Sequence, residues 1–489
     1  MMRRPRCGLA CLLVAIGLAT NPVFRADEPK TSSVAKGTFL AAPYLQWGEE
    51  ANPGDNQLEL LWHTNDVEAA WKVSFREAPG DDDWSHAPEP TFQRVAVPSI
   101  EPHRVYRAKI TGLPIGSRFD YRVLKDDKVV FESGSKARPR SGDPHRVVIF
   151  GDCSSGSSGQ RRIAAQIAGS HPDLVVVTGD IVYSRGRISE YRKRFFPVYN
   201  VDEVSPEIGA PLLRSTLFIA APGNHDFSAR DLGENPDGMA YFLYWSQPLN
   251  GPLTRVGADN TPKLKGPKSN QEAFLDAAGR SYPRMNNFSF DVGGTHWLIL
   301  DANGYTDWDD PAIRDWIAND LARASQARWR FVAFHQPGFQ SSKAHFGEQK
   351  TRLLAPVFEQ GHVDLVFAGH VHNYQRTRPL RFVPDRDEQG QPVGKGNQID
   401  GRLTLDRTYD GVQHTRADGV IYLVTGGGGA KLYNPEQQDN PSTWEEFTCK
   451  FIADKHTITV MDVEPSCLTL RQIDEDGQER DRFVMTKQP

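Results

Sequence analysis

Five short motifs, each closing a short apolar run, constrain this chain more than any other feature. They are Gly151-Asp152-Cys153-Ser154, Gly179-Asp180-Ile181-Val182-Tyr183, Gly223-Asn224-His225-Asp226, Val332-Ala333-Phe334-His335 and Gly369-His370-Val371-His372. The runs ahead of them, at 146–150, 173–178, 218–221, 329–334 and 365–368, are too short for buried helices and read as strands apolar on both faces. Another such run lies at 297–300. Residues 163–167, 311–324 and 352–360 read as helices, the second with Ile313, Trp316, Ile317 and Leu321 inward. Apolar strands alternating with helices predict an α/β architecture, a layered β-sandwich flanked by helices.

Residues 38–137 read differently. Alternating runs at 58–62, 70–75, 106–110, 120–124 and 128–131, separated by turn signals at 52–55, 79–81 and 113–116, predict an all-β sandwich. Thr111-Gly112-Leu113-Pro114 followed by Tyr121 resembles a fibronectin type III module. A linker at 138–145 then leads into a catalytic domain expected over 146–489. A Gly/Pro/Asn-rich insertion at about 228–283 follows the third motif directly, where it is either a rim of the site or decoration. A second polar excursion spans 379–418. The strand at 419–425 runs into Gly426-Gly427-Gly428-Gly429, read as a tight turn near the site, because no Gly-Lys-Ser/Thr follows. Strands at 456–461 and 467–470 finish a sheet.

A charged fraction of 24% with 38% hydrophobic residues excludes wholesale disorder. The formal net charge of −5 gives no bulk attraction for nucleic acid, so any anionic substrate is drawn locally. Residues 1–26 read as an export signal: a basic start at 1–6, an apolar run at 7–19 too short for a membrane span, and cleavage after Ala19 or Ala26. A periplasmic or extracellular location follows, with an uncleaved anchor as the alternative. No later segment is apolar enough to span a bilayer. Cys153, Cys449 and Cys467 are too few for a disulfide scaffold, and a Cys449–Cys467 bridge stays open. Cys153 is expected as a small buried residue beneath the site.

The motifs supply carboxylates, an amide oxygen, a phenol and imidazoles, a donor set for borderline-to-hard transition ions. Asp152 and Asp180 offer hard oxygens, and Asp180 can bridge two cations. Asn224 adds a neutral oxygen, and His335, His370 and His372 add imidazoles. Tyr183 discriminates further. A phenol with a pKa near 10 ionises at neutral pH only beside a strongly charged ion, so a tyrosine ligand points to Fe(III) with a divalent partner.

With these motifs, and with Phe367-Ala368-Gly369-His370-Val371-His372-Asn373-Tyr374-Gln375-Arg376, the chain resembles the purple acid phosphatases among the calcineurin-like metallophosphoesterases. The resemblance covers nearly everything after the signal. It implies a binuclear centre with Asp152, Tyr183 and His372 on Fe(III). Asn224, His335 and His370 would hold a divalent Zn, Fe or Mn ion, and Asp180 would bridge. It implies His225 as a substrate-contacting residue oriented by Asp226, and His345, ten residues after His335, as a second. Ser154 departs from the family's Gly-Asp-x-Gly, and the 228–283 insertion has no aligned counterpart.

The expected activity is an exported acid phosphatase, which cleaves small phosphate monoesters by attack of a metal-activated hydroxide. His225 and His345 would act protonated, which sets an acid optimum. The alternatives are a phosphodiesterase or nucleotidase using the same cage, and an extracellular binding protein with a vestigial site.

Overall fold

The computed structural model describes residues 37–50, 57–80 and 83–488. The export segment at 1–26, the turn at 52–55 and Asp81 lie outside the described residues. Alternation along the first strands builds two antiparallel four-stranded sheets. One orders Ala41–Gln46, Leu58–Asn65, His103–Ile110 and Thr91–Val95. The other orders Ser85–His86, Trp71–Ala78, Arg118–Lys125 and Lys128–Lys136. Trp62, Trp71, Tyr106, Tyr121 and Phe131 fill the space between them, as a fibronectin type III-like sandwich requires.

The remainder holds two larger sheets face to face. A six-stranded sheet has Leu217–Ala220, Leu174–Val177 and His145–Phe150 running parallel. The antiparallel strands Thr457–Val463, Cys467–Asp474 and Glu479–Thr486 complete it. A seven-stranded sheet centres on four parallel strands, Thr295–Ile299, Trp329–Ala333, Leu365–Ala368 and Ile421–Thr425.

Side-chain alternation explains the continuous apolar runs. Val147, Ile149, Val176, Phe331, Phe367 and Leu423 pack between the sheets. Their neighbours Val148, Phe150, Val175 and Val177 pack with Ile163 and Ile167 of the helix Ser158–Gly169. Val332, Val366 and Tyr422 pack with Ile317, Leu321 and Phe358 from the helices Pro311–Arg323 and Ala355–Gln360. Every central strand is therefore apolar on both faces, and the order of layers is helix, sheet, sheet, helix. Truncating a buried ring such as Phe331 to Ala costs about 3–5 kcal/mol. The helix expected at 352–360 is split: a 3-10 turn, Lys350–Leu354, precedes Ala355–Gln360, with Pro356 in the first turn where its missing N–H is tolerated.

The 228–283 segment is packed, not loose. Tyr241, Phe242, Tyr244, Trp245, Phe274 and Tyr282 are buried within it. It also ties the two regions together. The Tyr244 hydroxyl lies 2.9 Å from His103 Nε2, Tyr44 Oη donates to the Tyr244 carbonyl at 2.8 Å, and Ser246 Oγ donates to Glu59 Oε2 at 2.6 Å. Cys153, Cys449 and Cys467 are all free, so the possible Cys449–Cys467 bridge is not formed. Among the described residues no helix is long and apolar enough to cross a membrane.

At the edge of the seven-stranded sheet, His296 is buried between Asp291 Oδ1 at 2.8 Å and Asp320 Oδ2 at 2.9 Å. Burial alone would lower its pKa, but the hydrogen bonds to the two carboxylates outweigh it and lift the pKa to about 9. The stabilisation is full below the ordinary histidine pKa of about 6.5 and is lost as pH rises through about 9, on the order of 3 kcal/mol in all. Thermal melts from pH 7 to pH 10 should therefore fall more steeply for the wild type than for His296→Gln. Equal slopes would contradict this.

Candidate metal centre

The strands of both sheets deliver the motifs to one place, at the carboxyl ends of their parallel members. Asp152 follows His145–Phe150, Asp180 follows Leu174–Val177 and Asn224 follows Leu217–Ala220. From the facing sheet, His335 follows Trp329–Ala333, and His370 and His372 follow Leu365–Ala368. Asp152, Asp180 and His370 take left-handed backbone at φ 58°, 50° and 68°, which ends each strand sharply. Glycine precedes them because neighbouring ligands pass too close for a side chain. A Cβ on Gly223 would run into Asp180 N and Oδ1, and one on Gly369 would lie 2.6 Å from Asp152 Oδ2. Ser154 replaces a glycine without penalty. It is not among the left-handed residues, and its N–H donates to the Ile181 carbonyl at 3.2 Å while its carbonyl accepts from Tyr183 N at 3.2 Å.

All seven motif donors come together. Donor atoms of Asp152, Asp180 and His372 lie within 4.8 Å of one another, as do those of Asp180, His335 and His370. Asp180 belongs to both groups and is 1% exposed. Tyr183 Oη joins the first group, 3.0 Å from Asp152 Oδ1 and 2.9 Å from His372 Nε2. Asn224 Oδ1 joins the second, 3.1 Å from His335 Nε2. Outer carbonyls orient two of the imidazoles: His335 Nδ1 faces the Thr178 carbonyl at 2.8 Å, and His372 Nδ1 faces that of Lys431 at 2.7 Å. Both rings thus keep Nε2 for the interior.

The electrostatics ask for positive charge. Burial would lower the His335 pKa, yet the Asp180 and Asp152 carboxylates lift it to about 10. Burial would raise that of Asp180, yet His335 holds it below the usual carboxylate range. Burial, with Asp152 and Asp180, pushes the Tyr183 phenol well above its ordinary range. A buried cluster that draws protons onto His335 and His372, with carboxylate, amide and imidazole donors on two sides of one carboxylate, fits a pair of cations.

His225 lies at the opening. Its Nδ1 is 2.6 Å from the Ser184 carbonyl, its N–H donates to Asp180 Oδ1 at 2.9 Å, and its Nε2 stands 3.8 Å from Asp180 Oδ2. The expected orientation of His225 by Asp226 is replaced by Ser184. Asp226 instead accepts from Ile181 N at 3.1 Å and Gly223 N at 2.8 Å, pinning the second motif to the third. Burial and the nearby Asp180 charge raise its pKa. His345 Nδ1 lies 2.7 Å from Glu348 Oε1, and its ring centroid is 4.0 Å from that of His370. Cys153 is buried beneath, with its Sγ toward the Ile181 carbonyl at 3.4 Å and its pKa raised to about 12 by burial.

Several residues here escaped the sequence reading. Tyr433 stacks on His372 with centroids 4.1 Å apart. Glu348 contacts both His345 and His370. The loop after Tyr183 is braced twice. Glu190 accepts from Ser184 N at 2.6 Å, and Asp237 of the 228–283 segment accepts from Arg187 Nε at 2.6 Å and Ser189 Oγ at 2.7 Å. The only available signals were weak: Glu348 lies three residues after His345, and Tyr433 four after the glycine run.

Comparison with known proteins agrees with this geometry. Residues 143–374 match the family described as calcineurin-like phosphoesterase. Purple acid phosphatase 21 of Arabidopsis thaliana is 37% identical over 342 residues, covering 67% of this chain and 65% of that protein. Purple acid phosphatase 23 of the same plant is 26% identical over 290 residues, covering 56% of this chain and 57% of that protein. The chain thus spans little more than half the length of that relative. Among solved structures, purple acid phosphatase PPD1 from yellow lupin (Lupinus luteus) superposes with a TM-score of 0.62 at 18% identity, covering 91% of this chain and 74% of that one. PhoD does so with 0.57 at 13% identity, covering 93% and 91%. At these identities the two structures speak for the layered fold alone.

Gly223→Ala tests the packing of the centre. The added methyl must displace Asp180, so the variant should bind less than half the metal of the wild type, measured by elemental analysis after dialysis. Full metal content would show that the close approach of Gly223 to Asp180 is not required.

Proposed function

The chain belongs to the calcineurin-like phosphoesterases as a member of the purple acid phosphatase family, and on that premise we propose that it hydrolyses small phosphate monoesters at a pair of metal ions. The observation that carries this reading is the position of Asp180, buried and common to both donor groups. Asp152, Tyr183 and His372 would hold Fe(III), because only a strongly charged cation would ionise a phenol that burial and two carboxylates keep neutral. Asn224, His335 and His370 would hold a divalent Zn, Fe or Mn ion. Such a pair of ions supplies Lewis-acid polarisation of phosphoryl oxygens and makes a water acidic enough to attack near neutral pH.

The protein's own groups do the rest. The buried walls around Asp152, Asp180 and His335 exclude bulk water, which strengthens every charge interaction with a bound phosphate. His225, held by the Ser184 carbonyl through Nδ1, keeps Nε2 free to donate a proton to the leaving oxygen. His345, held by Glu348, is a second donor at the rim. Tyr433, half-buried and stacked on His372, offers an aromatic wall to the leaving group. We further propose export, from the basic and then apolar sequence of residues 1–26.

Two experiments check this. With iron and zinc supplied, mono-aryl phosphate should turn over at least about tenfold faster than bis-aryl phosphate, and Asp180→Asn should lose about 10³-fold or more in kcat. A diester preference would move the assignment to a phosphodiesterase, and near-normal Asp180→Asn turnover would contradict the shared carboxylate. Separately, His225→Asn should lower kcat about 10²–10⁴-fold while leaving the metal content unchanged. Near-normal turnover in the variant would remove His225 from proton transfer.

A further inference from the structure

The three histidines expected to hold metal are not oriented alike. His335 and His372 each turn Nδ1 to a backbone carbonyl, Thr178 at 2.8 Å and Lys431 at 2.7 Å. His370 reverses the pattern. Its Nε2 is taken by Glu348 Oε2 at 3.0 Å, and its Nδ1 makes no hydrogen bond among the described residues. The other Glu348 oxygen, Oε1, is 2.7 Å from His345 Nδ1. An ionised carboxylate only accepts, so each ring nitrogen facing it carries a proton. For His370 that leaves the Nδ1 lone pair for a cation. For His345 it leaves Nε2 unbonded. The two rings lie against each other, with centroids 4.0 Å apart, and the His345 backbone sits in the left-handed region at φ 58°. The rim loop is thus folded back to bring its carboxylate onto His370.

We propose that Glu348 is a positioning residue for the divalent half of the centre. It fixes His370 with Nδ1 toward the ion and His345 with Nε2 toward substrate, so one carboxylate couples metal affinity to substrate contact. The inference rests on the monoesterase reading and deepens it. His345, Glu348 and His370 also lie close enough to hold a cation by themselves. The division of the Glu348 oxygens between two imidazoles argues against that use, because both oxygens are already engaged. An outer carboxylate of this kind orients a ligand imidazole and raises its basicity, and its loss weakens metal binding about 10–100-fold.

The test uses the full chain loaded with iron and zinc, comparing wild type, Glu348→Gln and His345→Ala. Zinc affinity is measured by chelator competition, iron by its tyrosinate absorption, and folding by the melting temperature of the metal-free protein. Glu348 is 43% exposed at its side chain, so Glu348→Gln should fold normally. The expected result is zinc affinity weakened about 10–100-fold in Glu348→Gln, with the tyrosinate band unmoved and the melting temperature unchanged. His345→Ala should keep zinc affinity within threefold while lowering kcat. Wild-type affinity in Glu348→Gln would overturn the proposal. So would equal zinc loss in His345→Ala, or three ions in the wild type and two in Glu348→Gln, since both mean that the cluster is itself a ligand set. A wild type that takes up no metal pair would instead defeat the reading of the whole centre, and Glu348 with it.

Discussion

Three aspartates, Asp152, Asp180 and Asp226, are buried at strand ends of one sheet, and their mutual repulsion is the constraint to which the rest of the site answers. Buried carboxylates must be neutralised, paired or bound to metal. Asp226 meets this with backbone N–H groups and a raised pKa. Asp152 and Asp180 take backbone N–H groups and the Tyr183 hydroxyl, and they also face the imidazoles of His335 and His372, which they drive toward their charged forms. One sheet supplies the carboxylates and the other the imidazoles, so the centre exists only where their carboxyl ends meet.

Much of this was legible in the sequence because the centre is built from strand ends. A buried strand followed by Gly-Asp or Gly-His has few structural solutions, and the glycines report directly on ligands that pass within contact distance. Asp152, Asp180, Tyr183, Asn224, His335, His370 and His372 were therefore nameable before any coordinates. The strands Ala41–Gln46 and Thr91–Val95 were not. The first lacks alternation, and the second lies at a sheet edge with Phe92 exposed. What orients the reactive groups was equally hidden. Ser184 acts through a carbonyl, which no residue type betrays. Glu348 and Tyr433 come from loops with no period, and their relation to His370 and His372 is purely spatial. The role expected for Asp226 failed for a related reason: adjacency in sequence to His225 said nothing about where a buried carboxylate would find donors.

The segment at 228–283 links these levels. Its aromatic residues make it part of the core, and its stretch from Asp237 to Ser246 reaches in two directions. Tyr244 and Ser246 grip the fibronectin type III-like sandwich, while Asp237 holds the loop that carries Tyr183 and Ser184. Through Ser184 the same brace reaches His225. What reads in sequence as an insertion thus connects the N-terminal sandwich to the rim of the centre by direct contacts.

Anomalous diffraction from crystals grown with iron and zinc bears most directly on the shared carboxylate. Two peaks about 3.5–4 Å apart, one on each side of Asp180, are expected. A single peak, or two peaks in separate pockets with Asp180 touching only one, would contradict the binuclear centre and the chemistry built on it.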